Sequence, residues 1–382
     1  MHIGIDGVAL QNPSYHAGLY QYTHRLIHSL SEVGQEHDFS LLFFNWRDRA
    51  MEDTIDRYPV GSNVRKQRCR VPFRVLGGLA ALSLPVSSFV GRFDVFHGPT
   101  FRLPPGRYAR RSVVTIHDLK FLSPESYSPG DRAGAEQFRK HTIDALERAD
   151  VVVAVSQFTR ADLAERLNYD SDHVRVIYPG INDEFRPDYS EEKIDHVVKQ
   201  YGLRRPYTLF VGFHEEKKNL LRLVEAFAMV QSRITEPQQL VLAGPFGPVT
   251  PLLQKRIREL GLEAAVSLPG VIASEDLPAL YAGASLFVFP SLHEGFGFPP
   301  LEAMASGVPV IASRAASLPE IVGSAALLVD PQQTESLADA LLVMITDEAR
   351  RQDLRVAGLQ HVKQFSRRRM AEETLALYRE LS

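Results

Sequence analysis

The sequence is poor in cysteine and contains no long apolar run, and both absences narrow the class of protein. Cys69 is the single cysteine in 382 residues, so no internal disulfide can form and a reducing, cytoplasmic location is expected. No stretch reaches the ~18 uninterrupted apolar residues of a transmembrane helix. The N-terminus has the pattern of a strand and lacks the basic start and long apolar core of a signal peptide.

A strong excess of charge is also missing. The net charge is −3, and a chain that is 45% hydrophobic and 23% charged is ordinary for a soluble globular protein. No nucleic-acid partner is expected. Charge is nevertheless uneven, because residues 61–112 contain ten Lys or Arg and one acid, Asp94. Within that span, residues 75–91 carry no charge.

This basic region with its apolar segment has three interpretations. It fits peripheral docking on an anionic membrane, on the inner face of the cell membrane. It equally fits an acceptor that carries a lipid pyrophosphate. The third interpretation is a core helix flanked by a solvated basic face.

Two halves of the sequence repeat the same alternation of strands and helices. The length corresponds to about two domains, and apolar runs such as 151–155 suit parallel strands that are covered on both faces. The expected strands are 3–6, 39–44, 94–97, 113–116, 151–155 and 174–178, then 207–212, 240–243, 266–268, 286–289, 308–312 and 327–329. Helices are expected from Gly18 to Gly34 and at 348–364 and 367–381. A turn-rich linker at 179–187 predicts α/β domains at 1–186 and 187–364, followed by a helix at 365–382.

The segment Glu294-Gly-Phe-Gly-Phe-Pro-Pro-Leu-Glu302 carries the strongest functional signal. It follows an apolar strand, and its two prolines suit a first helical turn. The pattern therefore places Glu294 in a strand-to-helix loop and Glu302 on the first turn of the helix. Gly295 and Gly297 let the backbone approach a ligand, and helix N-termini attract anions. Open α/β sheets bind ligands at such strand ends.

This pattern resembles the two-glutamate signature of retaining glycosyltransferases of family 4, which have the GT-B fold. The resemblance implies two doubly wound, Rossmann-like domains facing a cleft, with the last helix crossing back to the first domain. It implies that Glu294 meets the transferred hexose and Glu302 the donor ribose. Backbone N–H groups of the loop then offset the donor charge, and the loop residues concerned are Gly295, Phe296, Gly297 and Phe298. A solvated surface pair of glutamates is the alternative.

Lys217 and Lys218 follow the strand at 207–212 and resemble the family's Arg-Lys-Asn element, whose two cations hold the donor diphosphate. Lysine stands at 217 where relatives often have arginine, and it lacks the bidentate fork of a guanidinium. Cations at a helix N-terminus oppose the macrodipole, and a bound anion would remove that conflict. A solvated lysine pair is the alternative. The resemblance also places Val271 in a loop that holds the nucleobase through backbone groups.

The first half supplies two further candidates. After the first strand, the segment His16-Ala-Gly18 resembles the family's glycine turn beside the donor phosphates and the acceptor, because Gly18 at a helix start lets backbone N–H groups reach a phosphate oxygen. His117 ends the strand at 113–116, and the resemblance places it beside the transferred sugar, where it would orient a hydroxyl. A packed histidine is the alternative.

The resemblance implies a nucleotide-sugar donor, a glycan or lipid-linked saccharide acceptor, and retention at the anomeric carbon. GDP-mannose is the favoured donor, because the motifs resemble those of bacterial polysaccharide mannosyltransferases, and a UDP-hexose stays open. No metal or other cofactor is expected. The segment Asp170-Ser-Asp172 has the Asp-x-Asp pattern of metal-dependent transferases, but its position between a helix and a strand predicts a turn.

Two other enzyme classes remain as alternatives. A sugar-nucleotide epimerase of the same fold would convert its donor without an acceptor. A nicotinamide dehydrogenase requires Gly-x-Gly-x-x-Gly after the first strand, which the glycines at 4, 7 and 18 do not provide.

Overall fold

The computed structural model describes residues 1–11, 17–44, 55–82, 84, 86–122 and 132–382. These residues divide into two compact units, 1–180 together with 365–382, and 181–364. The chain passes from the first unit to the second after Gly180, earlier than the boundary at 186 that the sequence indicated, and it returns after Gln364. His16 of the predicted glycine turn lies outside the described residues.

The described part of the first unit is built on a seven-stranded parallel sheet with the order β3-β2-β1-β4-β5-β6-β7. Its strands are β1 (His2–Asp6), β2 (Asp38–Phe44), β3 (Val64–Cys69), β4 (Phe93–Gly98), β5 (Ala109–Ile116), β6 (Val151–Ala154) and β7 (Val174–Val176). The inner strands are almost completely buried, as apolar runs covered on both faces require. All the strands predicted for this half are confirmed, within a few residues at their ends.

Strand β3 was not predicted, because its sequence Val-Arg-Lys-Gln-Arg-Cys contains three cations. It lies at the edge of the sheet, where only Val64 and Cys69 are buried. Edge strands tolerate charged side chains, which protect them from pairing with another chain.

The helices of the first unit lie between these strands, except for the last one. Those described include α1 (Ala17–Val33), α2 (Phe73–Ala81), α3 (Ser87–Val90), α4 (Arg132–Arg148), α5 (Gln157–Leu167) and, at the end of the chain, α14 (Arg367–Leu381). Ser156 caps α5 by accepting a hydrogen bond from the Thr159 amide at 3.0 Å. Asp170 accepts from the Asp172 amide at 3.0 Å at the start of a short 3₁₀ turn, which confirms the turn predicted there.

Helix α14 packs against α1 and joins the first unit, as the sequence predicted. Its Tyr378 is fully buried, and the phenolic oxygen lies 2.6 Å from His97 Nδ1. The other ring nitrogen of His97 lies 2.7 Å from Thr115 Oγ1 on β5. Burial lowers the pKa of His97 to about 3, so the ring is neutral at physiological pH. His97 therefore has a packing role and connects the last helix to the first sheet.

The second unit repeats the design with a six-stranded parallel sheet of order β10-β9-β8-β11-β12-β13. Its strands are β8 (Tyr207–Val211), β9 (Gln239–Ala243), β10 (Val266–Gly270), β11 (Leu286–Phe289), β12 (Val310–Ser313) and β13 (Leu327–Val329). Its helices are α6 (Glu191–Gln200), α7 (Leu220–Gln231), α8 (Thr250–Glu259), α9 (Leu277–Ala282), α10 (Phe298–Ala305), α11 (Leu318–Val322), α12 (Thr334–Thr346) and α13 (Glu348–His361). All six predicted strands are confirmed. The order reverses between β8 and β11, and a doubly wound sheet binds ligands at the carboxyl end of such a crossover.

Among the described residues, no helix combines the length and the hydropathy that crossing a bilayer requires.

Candidate active site

Both predicted lysines lie in one turn of 3₁₀-helix, Glu216–Lys218, between β8 and α7. The turn ends at Asn219, whose φ of 60° falls in the left-handed region that asparagine tolerates better than most residues. Asn219 Nδ2 donates to the carbonyl of Pro290 at 3.2 Å and to that of Pro331 at 2.7 Å. The lysines are therefore fixed to the segments that follow β11 and β13, at the carboxyl edge of the second sheet.

Glu294 binds both lysines. Lys218 Nζ donates to Glu294 Oε1 at 2.6 Å, and Lys217 Nζ lies 3.5 Å from Oε2. Ser291 Oγ also donates to Oε1, at 2.6 Å. The side chains of Glu294 and Lys218 are each 12% exposed and that of Lys217 is 18% exposed. Removing one partner of a buried ion pair typically lowers the free energy of unfolding by about 3–5 kcal/mol. The three side chains are therefore fixed in position by their mutual contacts.

Burial and charge act in opposite directions on the pKa of Glu294. Burial alone raises it, but Lys217, Lys218 and the hydrogen bonds from Lys218 and Ser291 outweigh burial and lower the pKa to about 2. Burial is the largest influence on Lys218 and lowers the pKa of its ammonium group, while Glu294 opposes that shift. Glu294 is thus ionised at neutral pH. A carboxylate with this pKa is a weak proton acceptor, which does not suit a general base.

The loop after Glu294 turns sharply into α10. Gly297 has φ of 115°, a value that side-chain-bearing residues rarely adopt, and a Cβ there would lie 2.8 Å from Leu318 Cδ2. Because Pro299 and Pro300 occupy the first turn of α10, that turn offers fewer N–H groups than an ordinary helix start. The prediction that backbone N–H groups meet an anion therefore concerns the loop at 295–298 rather than the first turn of α10.

Glu302 is the fifth residue of α10, slightly beyond the first turn that the sequence predicted. The residue is 6% exposed, and its Oε2 accepts a hydrogen bond from the Tyr281 hydroxyl at 3.3 Å. Tyr281 itself is completely buried in α9. The second glutamate is therefore oriented by a neighbouring helix rather than solvated.

Three apolar side chains are exposed where β8, β9 and β10 end. Phe213 is 43% exposed, Phe246 54% and Val271 67%. The Phe213 ring packs on the next loop, since a Cβ on Gly247 would lie 2.8 Å from its Cζ. We call Phe213, Phe246 and Val271 the apolar wall. Exposed rings beside a cationic turn suit a nucleobase, because every base has a face that stacks on an aromatic side chain.

Gly18 and His117 lie in the first unit. Gly18 is exposed near the start of α1, and an added Cβ would have no atom within 4 Å, so the packing of the chain itself does not require a glycine there. Tyr22, one turn later, makes an edge contact with the His117 ring at 4.7 Å between centroids. The start of α1 thus lies near the end of β5.

His117 is held by hydrogen bonding and by ring contacts. Its Nε2 donates to the carbonyl of Pro99 at 2.8 Å, which leaves Nδ1 as an acceptor. Burial lowers the pKa of His117 to about 4, although the Pro99 carbonyl and Asp118 oppose that shift. The ring is therefore neutral at pH 7 and suited to accept a hydrogen bond from a hydroxyl group.

Comparison with known proteins identifies the family. Residues 192–361 match the family model described as "Glycosyl transferases group 1", and residues 17–185 match "Glycosyltransferase Family 4". The O-antigen chain mannosyltransferase B of Escherichia coli is 32% identical over 286 residues, which cover 75% of this chain and 74% of the relative. The chain belongs to glycosyltransferase family 4.

Solved structures with the same fold align with the whole length of this family 4 glycosyltransferase. The sucrose-phosphate synthase of Thermosynechococcus elongatus has a TM-score of 0.75 at 23% identity, covering 100% of this chain and 99% of that structure. Anabaena HepE, solved in complex with UDP and glucose, has a TM-score of 0.74 at 20% identity, with 100% of both chains covered. These likenesses establish the GT-B fold.

Sequence reasoning missed four residues of the candidate site. Ser291 holds Glu294, and Ser317 Oγ lies 2.8 Å from the carbonyl oxygens of both Glu294 and Phe296, which supports the glycine-rich loop. Phe213 and Phe246 form most of the apolar wall. Ser291 and the two phenylalanines lie within a few residues of a strand end. That position in the sequence is a signal from which they could have been predicted. Ser317 lies outside the motif, so no local pattern pointed to it.

Proposed function

We propose that this glycosyltransferase moves a mannosyl residue from GDP-mannose, with retention, to a glycan or lipid-linked saccharide during synthesis of a cell-surface polysaccharide. The observation that carries the proposal is the cluster of Lys217, Lys218 and Glu294 at the carboxyl edge of the second sheet. Two ammonium groups suit a diphosphate, and the adjacent carboxylate suits sugar hydroxyls. The Escherichia coli relative, an O-antigen chain mannosyltransferase, supports mannose as the sugar.

The lysines supply the electrostatic part of the reaction. Cleavage of the bond between the anomeric carbon and the phosphate oxygen leaves additional negative charge on the nucleoside diphosphate. Burying that charge without partners is prohibitive. Fixed donors aimed at developing charge each contribute roughly 3–4 kcal/mol to catalysis. Because Lys217 and Lys218 are already positioned by Glu294, they neutralise the leaving group with little reorganisation, and the proposed step needs no metal.

Retention is best explained by attack from the face that the diphosphate leaves. The acceptor oxygen bonds to the anomeric carbon as the carbon–oxygen bond to phosphate breaks, and the acceptor proton passes to the departing phosphate oxygen. A retaining hydrolase instead uses a carboxylate nucleophile. Both oxygens of Glu294 face cations, and one also accepts from Ser291. Glu294 is therefore not assigned as a nucleophile. We assign Glu294 to holding the hexose, and we assign His117 to accepting a hydrogen bond from one of the hexose hydroxyls.

A UDP-hexose is the second candidate donor. The apolar wall accepts either a purine or a pyrimidine by stacking, and HepE, which has the same fold, was solved with UDP. A sugar-nucleotide epimerase would use the same cations and carboxylates but no acceptor.

Thermal unfolding with GDP, GDP-mannose, UDP and UDP-glucose tests the donor. A ligand at a hundred times its Kd stabilises the fold by about 2.7 kcal/mol, so the correct nucleotide raises the Tm clearly above the other. We expect the guanine pair to do so. A larger increase in Tm with UDP and UDP-glucose would indicate a UDP-hexose as the donor instead of GDP-mannose. If none of the four ligands changed the Tm, the proposed donor site would be wrong.

Turnover with and without an acceptor separates transfer from epimerisation. Nucleotide release that depends on an added saccharide acceptor, and a product whose anomeric proton resembles that of the donor, are expected. A chelator should leave the rate unchanged. A new sugar nucleotide formed without acceptor identifies an epimerase, and an inverted anomeric signal rules out the same-face attack.

A further inference from the structure

In the first unit, the segment of chain that joins β3 to β4 exposes four large apolar side chains. Val75 on α2 is 49% exposed, Leu82 and Leu84 after α2 are 73% and 48% exposed, and Phe89 on α3 is 48% exposed. We call these four residues the docking surface. Soluble monomers seldom group large exposed apolar side chains, and where they do the group usually marks an interaction site.

The same two helices are anchored in the core by other residues. Leu76 on α2, Val90 on α3 and Val86 directly before α3 are each buried to within 1%. A helix that serves only as a cover normally turns polar residues outward. Here no residue from 75 to 91 is charged, so the outward side chains of this segment are apolar or uncharged, and the charged residues lie beside it.

Arginines lie beside the docking surface. Arg92 is exposed two residues after α3, and Arg107 is exposed in the loop before β5. That loop touches the same region, because a Cβ on Gly106 would lie 2.6 Å from Val86 Cγ2. Arg110, at the start of β5, has a side chain that is 80% exposed. The single acid of residues 61–112, Asp94, lies 3.8 Å from Arg110. Acids from outside this span pair with Arg68, Arg102 and Arg111.

We propose that the docking surface inserts its four apolar side chains into an anionic phospholipid bilayer while Arg92 and Arg107 bind lipid headgroups. Apolar residues flanked by arginine are the combination that interfacial membrane segments use. The described residues contain no helix able to span a bilayer, so the attachment is peripheral. An acidic protein partner would pair with the arginines but would leave the uncharged outer side of α2 and α3 less well matched.

Vesicle sedimentation of the whole chain tests the proposal without any turnover, so it is independent of the proposed donor and acceptor. The probes are vesicles of phosphatidylcholine alone and of phosphatidylcholine with phosphatidylglycerol in equal parts. We expect binding to the anionic vesicles, weakening as salt is added. Replacing Leu82 or Phe89 by Asp should lower the partition coefficient at least about tenfold. Arg92→Glu and Arg107→Glu should each lower it about fivefold or more.

Matched controls lie on the second unit. Leu252 and Val356 are exposed to similar extents, 53% and 52%, and Arg258 is an exposed arginine on α8. Leu252→Asp, Val356→Asp and Arg258→Glu should bind like the wild type. Every variant should keep the wild-type Tm, because the altered side chains are exposed.

Three outcomes would overturn the proposal. The first is absence of binding to anionic vesicles at low salt. The second is an equal loss of binding in the control variants. The third is a dimer that Leu82→Asp dissociates without any binding to vesicles, which would make a second copy of the chain the occupant.

Discussion

Lys218 Nζ and Glu294 Oε1 lie 2.6 Å apart, and the same ammonium group lies 5.0 Å from the centroid of the Phe289 ring. The lysine is thus held between a carboxylate and an aromatic face at the end of β11. A diphosphate that reaches this site meets a cation that is already immobilised. Little side-chain entropy is then lost on binding, which is the advantage of a preorganised site.

Lys218→Met should weaken both the fold and donor binding. The substitution leaves Glu294 buried with only Lys217 and Ser291 as partners, and loss of one partner of a buried pair costs about 3 kcal/mol. We expect that decrease in the free energy of unfolding in urea. Nucleoside diphosphate binding by calorimetry should fall by at least about tenfold, the equivalent of one charge-assisted hydrogen bond.

Lys255→Met is the matched control for Lys218→Met. The side chain of Lys255 is 67% exposed on α8 and pairs with Glu259 at 3.7 Å. Exposed pairs contribute about 0–1 kcal/mol, so this variant should be close to the wild type in stability and in nucleotide affinity. Equal losses in the two variants would mean that Lys218 has no special role.

The pKa of Glu294 predicts a specific dependence of stability on pH. Its folded-state pKa of about 2 lies below the ordinary value of 4.5, so the folded chain binds fewer protons between these values. The stabilisation, about 3 kcal/mol by linkage, is fully present above pH 4.5 and is lost as pH falls toward 2. The difference in unfolding free energy between the wild type and Glu294→Gln should therefore be largest above pH 4.5 and shrink below it.

Urea unfolding at pH values on both sides of 4.5 measures that difference. Glu263→Gln serves as the control, since Glu263 is exposed on the surface of the second unit. Its difference from the wild type should stay near zero throughout. A Glu294→Gln difference that is constant with pH would show that the carboxylate is not stabilised by the lysines.

Glu302→Gln should weaken GDP binding only by the loss of its contact with the ribose. Its carboxylate accepts from Tyr281, and a carboxylate has about four lone-pair sites, which suit more than one hydroxyl donor. We expect about a tenfold loss of GDP affinity, the value of one hydrogen bond to a charged group. With 2′,3′-dideoxy GDP, which lacks the ribose hydroxyls, the wild type and the variant should bind with equal affinity. Calorimetry on both proteins with both ligands gives a double-mutant cycle that measures this coupling. An equal loss for both ligands would assign Glu302 to packing.

Phe246→Ala should reduce affinity for the base but not for the diphosphate. Stacking of one base on an aromatic ring contributes about 1–3 kcal/mol, so GDP affinity should fall about tenfold. Because Phe246 is 54% exposed, the Tm of the free protein should barely change. Inorganic pyrophosphate, measured in competition, should bind the wild type and the variant equally. A parallel loss for pyrophosphate would place the effect of Phe246 on the loop rather than on the base.

The sequence was sufficient for the fold because its inner strands are continuous apolar runs. Period and hydrophobicity located twelve of the thirteen described strands. The strand that they missed, β3, is an edge strand with three cations, which hide its strand pattern. The crossing after Gly180 falls inside the predicted linker at 179–187. The domain boundary was set later, at 186, because 181–187 has turn-rich composition although it belongs to the second unit. Composition does not record which unit a turn packs against.

The site was predictable where function and local geometry coincide. Lys217, Lys218 and Glu294 stand in motifs that follow strand ends, and the structure brings these three side chains together. Their role in donor binding, like that of Glu302, stays a prediction. Ser317 was not predictable, because it supports the loop from another helix and is a serine like any other in sequence. Long-range hydrogen bonds of this kind have no local pattern.

Tyr378→Phe should loosen the last helix without affecting the donor site. The Tyr378 hydroxyl lies 2.6 Å from His97 Nδ1, and its loss leaves a buried nitrogen without that partner, at a cost of about 1–3 kcal/mol. Hydrogen exchange should therefore quicken along 367–381, while GDP affinity stays unchanged. Tyr189→Phe is the control, because its exposed hydroxyl donates to the Glu184 carbonyl at 3.0 Å and its removal should cost little. Unchanged exchange in Tyr378→Phe would mean that apolar packing of α14 alone attaches it to the first unit, with the His97 contact adding nothing.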